Sequence, residues 1–234
     1  MRSSGVSRGN PGDVAVALRD LHPGFCEVTE RLFGRSLSPQ WLSPTRFAAV
    51  TLALDALVTQ LDVERLRASL DAAREELDDD QILTVLEIVS VAGLHSVSMA
   101  APIVLEECVS WSGAEVTLSP AAEASKEAFE RSGPRPRPVD GMYGAILALD
   151  VDYFEAFRNW IDHPWKSGVL DHGSLHLVCI AIDVACTHLH EPGLRRHLQE
   201  AFKCDVTVHE ALEVVQMASM EGLRTVFAGV HAGF

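Results

Sequence analysis

Cysteine is scarce in this chain: five in 234 residues, an odd number, with no CxxC pair. That excludes the usual cysteine-based zinc modules and a redox dithiol. Cys26, Cys108, Cys179, Cys186 and Cys204 are widely spaced and read mostly as buried thiols in a reducing compartment. Positive charge is also in short supply. Nineteen basic residues face 33 acidic ones, a formal charge of -14, which opposes non-specific binding to nucleic acid or to an anionic membrane surface. Neither partner is expected. No apolar run approaches the roughly 18 residues that a spanning helix needs, and the N-terminal MRSSGVSRGNPGD has no apolar h-region. A cytoplasmic location follows as the expectation. Alternating strand patterns are missing as well.

What the chain does have is apolar mass at helical spacing. Hydrophobic residues make up 47% of it, enough for a substantial core. The runs Phe47 to Leu61 and Leu175 to Leu189 exceed strand length and are rich in Ala and Leu. They also repeat one another. VTLALDALVTQL, from Val50, lies over VCIAIDVACTHL, from Val178, with five identities in twelve positions; ILTVLEIVSVAGLHS, from Ile82, lies over ALEVVQMASMEGLRT, from Ala211, with five in fifteen. The offsets are 128 and 129, so one gap keeps the order of both segments. The lead-ins PGFCEVTERLF and VDYFEAFRNWI correspond too.

The expected organisation is a flexible tail over 1–20, a helical unit over 21–110, a connection over 111–149 and a second unit over 150–234. The connection contains SGPRPRP, Ser132 to Pro138, whose prolines cannot continue a helix, and before it LSPAAEASKEAFERS, which can form one. In the second unit Glu191-Pro192 suits a helix start, Thr207-x-x-Glu210 is a capping-box pattern, and Gly222 ends that helix or permits a close crossing. The fold class is all-α: two tandem helical repeats packed together, each needing the other to cover its apolar faces.

The run from His188, HLHEPGLRRHLQEAFKCDVTVHEALEVVQMASMEGLRT, resembles the carboxymuconolactone decarboxylase family, which belongs with the alkyl hydroperoxidase D-like proteins. His197 takes the place of the family's histidine, Thr207 and Glu210 its turn and helix start, and Gly222 its late glycine. The resemblance spans both units and implies a two-repeat member. It also implies a homo-oligomer, a trimer for a fused pair, and chemistry without an organic cofactor. Peroxidase members carry a CxxC whose second cysteine lies four residues before the histidine; His190 and Gly193 stand there instead, which argues against a hydroperoxidase. In the first unit Gln60 and Ser69 replace His188 and His197, so chemistry is assigned to the second. Asp205 replaces a family glycine, and Asp tolerates a left-handed turn.

His197 flanks the apolar stripe of its helix and can exchange a proton near neutral pH, as protonation of an enolate after loss of carbon dioxide requires. The plainer alternative is a partly buried histidine bonded to backbone. His188 and Glu191 are candidates to orient it or the substrate, against the alternative of helix capping. His190, Trp160, Trp165 and Glu221 are candidate substrate-binding residues; the tryptophans equally suit an interface, and His190 a solvated turn. His188, His190, Glu191 and His197 are also metal-ligand types, although their spacing matches no signature such as HExxH. Asp183 and Thr187 recur as Asp55 and Thr59, which favours a structural role for them, and Cys179 and Cys186, seven apart, read as core. The leading expectation is a decarboxylase-like enzyme acting on a small unsaturated or cyclic carboxylic acid or lactone, with isomerisation or lactone hydrolysis using the same parts. Two alternatives stand beside it: a non-catalytic oligomeric scaffold and a metal-dependent enzyme.

Overall fold

The computed structural model of the chain describes residues 19–20, 22–33, 38–114, 116–131 and 141–231. Most of the expected tail and the whole of Ser132 to Pro138 lie outside the described residues. Among these residues the chain is helical and contains no strand. The helices are α1 (Pro23–Phe33), α2 (Pro44–Asp55), α3 (Val63–Ala73), α4 (Asp79–Ser90), α5 (Leu94–Ser112), α6 (Pro120–Arg131), α7 (Gly141–Leu149), α8 (Val151–Lys166), α9 (His172–Val184), α10 (Glu191–Lys203), α11 (Val208–Ser219) and α12 (Arg224–His231). The connecting stretch LSPAAEASKEAFERS does supply a helix, α6.

Two compact units emerge: residues 1–89 with 169–234, and residues 90–168. In the first, α9 is buried along its length, with Leu175, Leu177, Val178, Ile180 and Ala181 at most 1% exposed, as an all-round apolar helix must be. It packs against α2, α10 and α11. Leu52 and Val50 of α2, Val85 and Ile88 of α4, and Val214 of α11 complete that core. Each fully buried side chain of this kind contributes about 1.5–3 kcal/mol from removal of apolar surface from water.

The helix boundaries carry the sequence offsets. α2 and α9 start 128 residues apart, as do α3 and α10, and α4 and α11 start and end 129 apart. Their caps correspond in the same way. Ser43 accepts from Arg46 N and Asp171 from Ser174 N; Asp62 accepts from Arg65 N and His190 Nδ1 from Gly193 N. The expected capping box of Thr207 and Glu210 forms, and Asp78 with Gln81 makes the same reciprocal pair before α4. Arg46 on α2 reaches Asp171, Glu210 and Ser174, the last being the residue at its own offset position. The Thr59 and Thr187 hydroxyls, also at matching positions, lie 2.7 Å apart.

In the second unit Phe154 and Phe157 of α8 pack with Phe129 of α6 and Ile146 and Leu147 of α7, and Leu94, Val97 and Ala101 of α5 lie against them. The rings of Phe129, Tyr143 and Phe154 meet at centroid distances of 5.0–6.2 Å.

Three expectations need correction. The apolar runs do not continue as helix to Leu61 and Leu189: α2 stops at Asp55, which bonds to Arg65 of α3, and α9 at Val184, next to Asp183, which faces His190 across the turn. Of the cysteines only Cys26 is buried; Cys108 and Cys186 are exposed, and Cys186 lies past the end of α9 rather than on its face. Cys179, on α9, is half-buried, and burial pushes its thiol well up. Finally, the helical stretch Asp79–Ser112 is long and apolar enough, by length and composition, to cross a membrane. It is interrupted by the 3-10 turn Val91–Gly93, and its α4 half places Val85 and Ile88 in the core of the first unit.

Glu213 of α11 is wholly buried and accepts from the backbone N–H groups of Gln40, Trp41 and Leu42 at 2.6–2.8 Å. Glu213→Ala leaves those donors without their acceptor and is expected to cost about 3 kcal/mol or more in urea unfolding. Glu213→Gln, which keeps one acceptor oxygen, should cost less.

Candidate functional site

The turn between α9 and α10 doubles the chain back on itself. Leu189 takes a left-handed conformation, φ +46°, uncommon for a branched apolar residue and a local cost that the surrounding bonds sustain. His190 N donates to the Asp183 carbonyl at 2.8 Å, so His190 is tied by its backbone to the residue its side chain faces. Its Nδ1 is 3.3 Å from Asp183 Oδ1 and accepts from Gly193 N at 3.2 Å. Gly193 is needed there: a Cβ would sit 2.5 Å from His190 Nδ1 and 2.7 Å from both Asp183 oxygens. His188 completes this group, its ring 5.9 Å from that of His190 and a ring nitrogen within 4.8 Å of an Asp183 oxygen.

A second imidazole pair lies along the facing sides of α9 and α10. His197 Nδ1 is 3.1 Å from His176 Nδ1, and Arg196 NH2 donates to His197 Nε2 at 3.2 Å. The arginine always donates, so Nε2 is the accepting nitrogen and Nδ1–H points its proton at His176. Burial holds His176 down to about 4 and also lowers His188 and His190. It pushes Asp183 the other way, up to about 7, against the pull of the Arg196 charge. Uncharged imidazoles beside a carboxyl group that can hold a proton near neutrality are equipped to take and return one proton.

Glu191, expected to orient an imidazole, instead pairs with Arg195 on the exposed face of α10 at 2.6 Å; the helix sets these residues four apart, within easy reach. His190, not Glu191, caps α10. Glu221 is buried and bonded to Arg65, at 3.4 Å, and to Arg224. These two arginines also hold Asp55, at 2.6 and 2.8 Å, so Glu221 belongs to the network around the first unit's aspartate. Trp160 and Trp165 are on α8 of the second compact unit, where Trp160 packs on Phe157 with centroids 5.9 Å apart. Of the four residues weighed as a metal set, His190 faces Gly193 and Asp183, Glu191 pairs with Arg195, and His197 lies against His176 and Arg196, whereas His188 stays within ligand distance of Asp183. Asp205 adopts the left-handed turn expected of it, φ +59°. His176, Arg196 and the contact between Asp183 and His190 escaped sequence reasoning. The signal was present at position 193, where glycine matches Arg65 of the first repeat.

The two shifted groups make opposed contributions to stability. His176 binds a proton in the unfolded chain below 6.5 but in the folded one only near 4, so its contribution rises with pH across that window. Asp183 keeps a proton when folded up to about 7 but loses it near 3.8 when unfolded, so its contribution falls as pH rises over 3.8–7. Urea midpoints measured between pH 4 and 7 should therefore fall with pH more steeply in His176→Gln than in wild type, and rise more steeply in Asp183→Asn.

No family model matches the chain, and no curated protein does. A solved structure does: a protein from Burkholderia xenovorans LB400, provisionally described as a gamma-carboxymuconolactone decarboxylase subunit. It shares 27% sequence identity and superposes with a TM-score of 0.79, over 94% of this chain and 88% of that one. The likeness runs almost end to end and supports the carboxymuconolactone decarboxylase family, on an all-α fold of that kind.

Proposed function

We propose that the protein is a carboxymuconolactone decarboxylase-like lyase, acting on a small unsaturated or cyclic carboxylic acid or lactone by histidine acid/base chemistry, with no organic cofactor. The observation that carries the reading is the alignment of Arg196, His197 and His176, a cation beside a pair of facing imidazoles, in a chain whose fold matches a protein described as such a decarboxylase. Fold alone does not carry function. The site does the rest.

In this reading the guanidinium of Arg196 leaves His197 Nε2 for the substrate oxygen that gathers negative charge. The carbon–carboxyl bond breaks, carbon dioxide departs, and the electron pair remains as an enolate held by Arg196. Once Arg196 has left it, His197 Nε2 takes up a proton from solvent while Nδ1–H stays on His176, which keeps the ring oriented; the imidazolium then gives its Nε2 proton to carbon and returns to the neutral form. Isomerisation would use the same proton transfer without bond cleavage. His188 and His190 border the substrate in this scheme. Trp160 and Trp165 are its candidate apolar contacts or anchors between subunits.

Two tandem repeats, a degenerate one over 21–110 and an active one over 150–234, account for the paired helix boundaries and caps. The assembly we propose is a homo-oligomer, a trimer by analogy with single-repeat relatives, in the cytoplasm, with a small molecule as its partner. The test is carbon dioxide release from a panel of unsaturated acids and lactones bearing a carboxylate. His197→Gln should lose on the order of 10²–10⁴ in kcat with fold and assembly retained, and Arg196→Gln should raise KM as well. Undiminished turnover in His197→Gln would overturn the assignment.

A further inference from the structure

The two repeats treat the same buried carboxylate in opposite ways. Asp55 and Asp183 end matching helices and are 7% and 3% exposed. Asp55 accepts from Arg65 Nε at 2.6 Å and Arg224 NH2 at 2.8 Å, a closed ion-pair network. At the position matching Arg65 the second repeat has Gly193, and at the position matching the N-cap Asp62 it has His190. The guanidinium has been exchanged for an imidazole, and an imidazole can hold or release a proton where a guanidinium cannot.

The contacts of that imidazole constrain its proton. Nδ1 has one lone pair, and Gly193 N–H, a donor in every state, points at it. With Nδ1 accepting, the Asp183 oxygen 3.3 Å away meets it favourably by carrying the proton itself. With the proton on Nδ1, the bond to a carboxylate Asp183 strengthens and Gly193 N–H loses its acceptor. The two arrangements differ by one proton moved along one contact. Since Nδ1 is committed to Gly193 and Asp183, any proton the ring exchanges with a substrate passes through Nε2.

We infer that Asp183 is the positioning residue for His190: it orients the ring, sets which nitrogen carries the proton, and makes His190 a second proton-handling imidazole of the site, with Gly193 as the substitution that makes room for the pair. This deepens the decarboxylase reading and rests on it for the chemistry, although the couple itself can be measured without a substrate. The remaining charged or titratable neighbours of the pair within the first compact unit, His188, Arg196 and Cys179, are unchanged in the variants below.

The experiment is a pH titration of side-chain nitrogen-15 resonances in the full chain labelled at histidine, with His190 assigned by the signal missing from His190→Gln. Asp183→Asn presents an amide N–H to Nδ1 and cannot take up the proton, so His190 should titrate at lower pH and in one step, where wild type shows two coupled steps. Glu191→Gln should leave the curve unchanged. If a substrate from the panel is turned over, kcat of Asp183→Asn should fall roughly 10- to 100-fold with KM little altered. Identical His190 titrations in wild type and Asp183→Asn would overturn the inference, as would a larger effect from Glu191→Gln. Should no acid or lactone be turned over while the titrations differ as stated, the decarboxylase reading fails and the couple stands.

Discussion

A carboxylate at the end of an apolar helix cannot stay buried and charged without a partner, and the architecture of the first compact unit follows from how that constraint is met twice. At Asp55 the partners are two arginines, and the cost of burying charge is offset by a network that includes Glu221. At Asp183 the partner contacts run through His190, and the chain is shaped to provide them. Leu189 is held left-handed, His190 N returns to the Asp183 carbonyl, and Gly193 gives up its side chain so that carboxyl and imidazole can meet. One solution is inert because arginine never gives up its charge; the other retains a movable proton.

On the proposed reading, this asymmetry is how a fold of two repeats comes to have one working half. The caps, helix lengths and contacts of α2 to α4 reappear in α9 to α11, so the first repeat can support the second structurally without sharing its chemistry. Its positions for His188 and His197 are Gln60 and Ser69, and neither can shuttle a proton at neutral pH. Arg46 ties α2 to Asp171, Ser174 and Glu210.

Much of the fold was legible in the sequence because its signals are local. Capping boxes, a proline in the first turn, and apolar periodicity depend on residues a few positions apart, and Thr207 with Glu210 and Pro192 fall where the pattern places them. The site was less legible because its partners are brought together by the turn and by helix packing. His176 lies 21 residues from His197, and Arg196 looks like an ordinary surface cation. Glu191 was the natural carboxylate by proximity in sequence, yet helix geometry turns it toward Arg195, while Asp183, seven residues before His190, meets the imidazole across the turn. Thr59 and Thr187, expected to be structural because the motif recurs, bond to each other. Asp55 and Asp183 are both buried and partnered as well, but the position is shared and the partners are not.

On the proposed reading, the enolate left by carbon dioxide is protonated inside this site by an enzyme-held imidazole. Decarboxylation run in deuterium oxide tests it most directly, by the position and stereochemistry of the label in the product. Proton delivery from His197 places a single deuteron on one face of the carbon that lost its carboxyl group, and His197→Gln slows its appearance. Deuterium spread over both faces at an unchanged rate would mean that the intermediate is protonated by bulk water, and would contradict the account.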